Sequence, residues 1–239
     1  MSDNRESQVQ PLLKFLVFIV DWSKIKLVSS IFEAEQVRFH FITKARGTAS
    51  SEILDLLGIG SSEKAVVICL EQEIMIPLLL KEVRKKLGFH NAGAGIAFTV
   101  PLSSVHLPVL QVFKDNVNKN PKLKDLKESE KMNNEIKHDL IISIINQGYS
   151  DEFMTVAREA GAAGGTVINA RGLAKQGPMK FFGVSVQDEK EIILMVTNRD
   201  KKTPIMQAVS QSYGMSSEAE GVIFSLPVDI LIGLNVNIE

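Results

Sequence analysis

The sequence predicts an α+β protein made of two tandem βαββαβ units, and three observations carry that expectation. First, the run Gly221–Val228, Gly-Val-Ile-Phe-Ser-Leu-Pro-Val, restates Gly95–Leu102, Gly-Ile-Ala-Phe-Thr-Val-Pro-Leu. In both, a glycine able to turn tightly or approach a ligand opens an apolar run and a proline closes it. Second, the spacing between the copies is constant along the chain: Arg171 follows Arg46 by 125 residues, Phe182-Gly183 follows Leu57-Gly58 by 125, Pro204 follows Pro77 by 127 and Gly221 follows Gly95 by 126. A register held within two residues over a whole unit marks a duplication. Third, Glu191–Thr197 carries Ile192, Leu194 and Val196 on one side and Ile193 and Met195 on the other. A strand apolar on both faces needs two coverings.

The elements follow in order. Residues 1–10 are polar, and such a terminus is expected to be loose. Lys14–Val20 is a continuous apolar run of strand length. From Ser23 the period becomes helical, with Ile25, Val28, Ile31 and Phe32 on one stripe and Ser23 placed to cap the first turn. Val37–Ala45 alternates as a strand, Arg46-Gly47-Thr48-Ala49 ends it, and Glu52–Ile59 is apolar but fits neither period. Ala65–Leu70 is the next strand, and Pro77 stands at a first helical position ahead of Leu78, Leu79, Val83 and Leu87. Residues 113–137, rich in lysine with Asp115, Asp125, Glu128 and Glu130 interspersed, are expected to be a solvated linker. The order then repeats: a strand at Leu140–Ile145, a helix at Ser150–Ala160, a turn at Gly164-Gly165, and a strand at Thr166–Ala170. Phe181–Val186 alternates into Glu191–Thr197, and Thr203-Pro204 is placed to cap and start the last helix. The expected division is a unit at 11–112, a linker at 113–137 and a unit at 138–239. Each unit has the split-βαβ, ferredoxin-like order. Its second sheet face is to be covered by the sister unit, by other chains, or by both.

Composition narrows the function classes. A net charge of −1 advertises neither nucleic acid nor an anionic membrane surface. Leu12–Val20 is too short to span a bilayer and lacks the leader pattern of a signal peptide. With Cys69 the single cysteine, a cytosolic chain without disulfides is expected. His40, His90, His106 and His138 are scattered and form no metal-ligand spacing. No nucleophile motif or paired catalytic carboxylates stands out, so the chain is not expected to be an enzyme. Met154, Met179, Met195, Met206 and Met215 are expected as core filling. Arg171 is a candidate anion ligand with Gly172 allowing close approach, and the Arg-Gly pair recurs as Arg46-Gly47. The alternative for Arg171 is a strand-end salt bridge.

At Ala170-Arg171-Gly172-Leu173-Ala174-Lys175-Gln176-Gly177 the sequence resembles the PII (nitrogen regulatory) signalling family, specifically as a tandem, atypical member. Its motif before the mobile T-loop is basic-Gly-aromatic-Gly-Arg-Gln-Lys-Gly, followed here in its first half and at Gln176. The family's second motif, Gly-Asp-Gly-Lys-Ile-Phe and then Leu-Pro-Val-Glu, is matched by Ala219–Phe224 and Leu226–Asp229. The resemblance covers 14–107 and 139–235. It implies a regulator of nitrogen metabolism that homo-oligomerises as a trimer, binds a small effector such as an adenine nucleotide in a cleft, and passes the state to a partner protein. It also implies ligand-binding roles for Arg171, Gly172, Lys175, Gln176, Glu220 and Gly221, and in the first unit for Arg46, Gly47 and Gly95. The T-loop is expected to be cut to 173–180. The phosphate-contacting lysine of the second motif is replaced by Val222 and by Ile96. Losing such a charge-assisted contact forfeits about 1.5–3 kcal/mol, tenfold or more in affinity. The competing reading is a trimeric structural or metal-tolerance protein of the same shape that binds no nucleotide.

Overall fold

A computed structural model describes residues 12–48, 63–91, 93–117, 136–172, 179–181, 184–186 and 189–234. The first unit runs β1 (Leu13–Asp21), α1 (Ile25–Ala34), β2 (Phe39–Gly47), β3 (Glu63–Gln72), α2 (Ile76–Leu87) and β4 (Gly95–Pro101), followed by α3 (Leu107–Val117). The second runs β5 (His138–Asn146), α4 (Ser150–Glu159), β6 (Thr166–Arg171), a hairpin of β7 (Met179–Phe181) and β8 (Val184–Val186), β9 (Glu189–Asn198), α5 (Arg199–Tyr213) and β10 (Val222–Val228). A short β11 (Ile230–Ile232) follows. Both units are therefore ferredoxin-like, as the repeated spacing predicts.

Within each unit the strands take the order fourth, first, third, second, all antiparallel. The two four-stranded sheets join along β2 and β6, where Arg46 pairs with Val167 and Gly47 with Thr166. The chain then crosses back: β11 leaves the end of β10 and pairs with β4 of the first unit, giving one nine-stranded sheet. Because β10 and β11 are consecutive in the chain yet stand at opposite ends of the strand order, the sheet curls until its ends meet, with β4 alongside β10.

Strand alternation explains the three cores. On the outer face of the first sheet, Leu16, Phe18, Val20, Ala65, Val67 and Cys69 pack against Val28, Ile31 and Phe32 of α1 and Leu79 and Val83 of α2. On the outer face of the second, Ile141, Ile145, Ile193 and Met195 pack against Phe153 and Ala157 of α4 and Ile205 and Val209 of α5. The inner faces share a third core, in which Val17, Ile19, Val66, Phe98 and Val100 meet Leu140, Val196 and Val228. The second covering demanded by the two-faced strands is thus the sister unit. Met154 and Met195 are in the core as expected, whereas Met215 is 77% exposed.

Several local expectations need correction. Ser23 does not cap α1; it donates from its backbone N and its Oγ to Asp21 Oδ1, which caps a 3-10 turn at Trp22–Lys24 ahead of the helix. The last helix starts at Arg199, not at Thr203-Pro204, so Pro204 lies inside it. The missing N–H costs one bond to the carbonyl of Asp200, an exposed residue near the helix start where water is available. The first unit has the same design in another form: the 3-10 turn Glu73–Met75 precedes α2, so Pro77 also follows an initial helical turn. The main sheet closes at Arg171 paired with Glu189, so the excursion between β6 and β9 spans 172–188 rather than 173–180, and β7–β8 forms a separate sheet within it. The ambiguous Glu52–Ile59 lies outside the described residues. So does most of the expected linker, although α3 runs into it and Phe113 is buried, its carbonyl accepting from Gln72 Nε2 at 2.9 Å.

Two backbone features fix the repeated glycine motif. A Cβ on Gly221 would stand 1.9 Å from the carbonyl oxygen of Tyr213, so the end of α5 and the start of β10 touch through backbone. Gly95 has φ +130°, and a Cβ there would meet the Ile19 carbonyl at 2.6 Å. Gly221→Ala is expected to cost at least about 2 kcal/mol in urea unfolding, because neither backbone can retreat without disturbing its core. A second measurable consequence comes from Glu71, whose side chain is buried and whose carboxyl is raised by desolvation to about 7. Its folded value exceeds the unfolded one, so the folded state loses stability as pH rises from about 4.5 through about 7. Glu71→Gln is expected to remove that slope and to stabilise the protein at pH 8 by about 2–3 kcal/mol, as read from denaturant midpoints at both ends of the window.

Candidate functional site

The candidate residues separate into three places. Arg171 is the last residue of β6, and its Nε and Nη2 both contact Glu189 Oε1, at 3.1 and 2.9 Å, across the final rung of the sheet. Gly172 leaves the sheet directly after it, so this ion pair stands at the root of the 172–188 excursion. Lys175 and Gln176 lie outside the described residues. The pair is well exposed, 60% and 45% on its two sides, which leaves Arg171 open to a competing anion and makes the pair a weak contributor to stability.

On the neighbouring rung, Lys190 donates from Nζ to Asn146 Oδ1 and stands 3.5 Å from Glu220 Oε2. Side chains alternate along β9, so Lys190 projects to the inner face and Glu189 to the outer. Glu220 precedes β10 with φ 47°, a left-handed conformation that sets the sharp corner before Gly221. Tyr149 adds a hydroxyl donated to Glu218 Oε2 at 3.2 Å, and Asn146 Nδ2 donates to the Glu218 carbonyl at 2.7 Å. The structure thus brings Arg171 and Glu220 to one end of the second sheet but on opposite faces, and it adds Asn146, Glu189 and Lys190, which sequence reading did not single out. Their signal was slight: Glu189 and Lys190 belong to a polar corner that reads as an ordinary turn.

The first-unit candidates are engaged elsewhere. Arg46 Nη1 reaches Asp151 Oδ1 and its Nη2 reaches Ser150 Oγ, both at 2.8 Å, at the start of α4 in the second unit. Gly47 is paired with Thr166 in the seam. Thr48 completes it: its hydroxyl donates to the Gly165 carbonyl at 3.0 Å and accepts from Gly165 N at 2.8 Å, while Arg158 Nη2 donates to the Thr48 carbonyl. Gly95 is packed against Gly233, whose added Cβ would fall 2.2 Å from the Gly95 carbonyl. Among the described residues there is no group of three or more His, Cys, Asp or Glu positioned to hold a metal ion. Cys69 is buried and its thiol is pushed upward by desolvation. No described helix is long and apolar enough to cross a membrane.

These features define a protein of two fused ferredoxin-like units with a loop excursion leaving the sheet between the second and third strands of the second. That second unit is where the chain meets a known family: residues 138–234 match the family described as nitrogen regulatory protein P-II. Among solved structures, PII of Arabidopsis thaliana bound to citrate is 18% identical, with a TM-score of 0.32, covering 40% of this chain and 78% of its own. An aspartate kinase from Synechocystis is 8% identical with a TM-score of 0.28, covering 90% of this chain and 43% of its own. No curated protein sequence matches.

The seam allows a direct comparison of its polar contacts. Arg46→Ala is expected to cost less than about 1 kcal/mol, since its ion pair is exposed. Thr48→Val leaves the Gly165 N–H without its hydroxyl acceptor, while the Gly165 carbonyl keeps the Thr48 backbone N–H, and it is expected to cost about 1–3 kcal/mol. Thermal melts of the two variants against the parent check the order.

Proposed function

We propose that this chain is a PII-like regulatory protein that binds a small anionic effector at the second unit and signals through the excursion at 172–188. The observation that carries the reading is the family match across the whole second unit, from the start of β5 to the residues after β11. The local geometry supports it. Arg171 and Glu189 form the last rung before the chain leaves the sheet. An anion that takes the Arg171 guanidinium competes with Glu189 and changes how the root of the excursion is held. A ligand shifts such an equilibrium only through its differential contacts with the two arrangements. Gly172, Lys175 and Gln176 complete the proposed ligand region at this root, and Glu220 and Gly221 extend it at the same end of the sheet on the opposite face.

The first unit serves a different end. Arg46 and Gly47 are its counterparts to Arg171 and Gly172, and they hold the seam to the second unit, whereas Arg171 meets an exposed carboxylate of its own sheet. Effector binding is therefore assigned to one site per chain, with the first unit as its scaffold. A regulated protein partner and association of several chains belong to the same proposal. An adenine nucleotide is one candidate effector; Val222 and Ile96 in place of the phosphate-contacting lysine predict a weaker grip on it than in relatives that keep the lysine.

Calorimetric titration with ATP, ADP, AMP and 2-oxoglutarate tests the assignment. Binding of one of these at about one site per chain is expected, with Arg171→Ala weakening it tenfold or more and Arg46→Ala leaving it within about twofold. A folded protein silent to the whole panel overturns effector binding of this type, and loss through Arg46 rather than Arg171 overturns the choice of unit.

A further inference from the structure

Strand β2 is held on one side only for most of its length. Its register with β3 runs unbroken from Phe39 opposite Leu70 to Arg46 opposite Glu63. On its other side, pairing with β6 is confined to Arg46 and Gly47. Continued antiparallel register would set Ala45 against Ile168 and Lys44 against Asn169, yet the two strands part there. Among the described residues, 39–45 thus present an edge of backbone N–H and C=O groups with no ladder partner.

Side-chain exposure agrees with an open edge among the described residues. Phe41 is 69% exposed and Ile42 is 39% exposed. Consecutive residues of a strand project to opposite faces, so β2 is bare on both faces at one point, which covering of either face would prevent. Phe41 and Ile42 are the kind of large apolar groups that a solvated edge strand normally avoids, and no proline or inward-turned charge blunts the edge at this point. The charge is of one sign: from Val37 to Thr48 the segment carries Arg38, Lys44 and Arg46, with His40, and no carboxylate. Arg46 is held at the seam by Asp151, and Lys44 lies over the Trp22 ring at 4.9 Å, which leaves Arg38, exposed beside the start of the strand, to set the local field.

We propose that the edge of β2 from Phe39 to Ala45 docks an extended acidic segment of a partner protein as an added strand. Main-chain hydrogen bonds to the open edge supply affinity, apolar side chains of the segment at alternate positions meet Phe41 on one face, and its carboxylates, projecting to the other face, meet Arg38. Strand addition of this kind reads side-chain pattern through pockets and sign through charge. The surface lies in the first unit, and its occupation needs neither the effector nor the Arg171 region.

A short fluorescein-labelled peptide alternating glutamate and valine is the probe, followed by anisotropy with the full-length chain. Saturable binding is expected, weakened about tenfold by raising salt from low to physiological strength and about tenfold by Phe41→Ala. Both Phe41 and Arg38 are exposed, so Phe41→Ala and Arg38→Glu are expected to fold, and Arg38→Glu is expected to weaken binding by a similar factor. The same peptide N-methylated at alternate residues cannot pair its backbone and is expected not to bind. Equal binding of the methylated peptide, equal binding of a lysine-valine peptide, or indifference to both substitutions overturns the proposal. So does a concentration-dependent increase in mass that Phe41→Ala abolishes, because the occupant is then a second copy of this chain.

Discussion

Everything in this structure depends on one constraint, that each four-stranded sheet is apolar on both faces while its own two helices cover only one. A single unit would leave Val17, Ile19, Val66, Phe98 and Val100, or Leu140, Val196 and Val228, facing water. Burying a side chain of this size is worth about 1.5–3 kcal/mol, so exposing a whole face would be prohibitive for a unit of this length. The duplication resolves the problem within one polypeptide. The seam at β2 and β6, the curl of the sheet and the return of β11 onto β4 are all consequences of bringing two apolar inner faces into one core.

Most of this was legible in the residues. The helical stripe of Ile25, Val28, Ile31 and Phe32 and the two-sided pattern of Glu191–Thr197 each encode their surroundings, because burial is what selects the residue types. The near-constant offset between Arg46 and Arg171 encodes the duplication. The features that sequence reading missed share another cause: they depend on tertiary contacts that leave little local trace. Pro204 resembles a helix start, but the strand before it ends at Asn198 and the helix begins there at once. Ile230–Ile232 is too short a run to declare a strand by itself, and it is the open side of β4 that makes it one.

The two units show how one ancestral corner was put to two uses. Arg46 and Arg171 occupy equivalent places, at the end of the second strand of each unit. One reaches across to Asp151 and Ser150 and fastens the halves together; the other meets a carboxylate of its own sheet at the mouth of a long excursion. The sequence motif is common to both, whereas the chemistry open to each is decided by what stands opposite. The glycines behave alike: Gly95 and Gly221 are selected by backbone contacts on one side, so their presence reports close packing before it reports any ligand.

The crossing of β11 has a consequence for how the molecule comes into being. Asp229, at the corner between β10 and β11, accepts from Lys14 Nζ and from Thr99 Oγ1, so the close of the second unit is clasped to the first and fourth strands of the first. During synthesis β4 is finished long before Ile230–Ile232 emerge, and its outer side must wait for them. The first unit is thus completed only after the strands of the second have been made, and the boundary that duplication drew in the gene is not one the folded chain can be cut along.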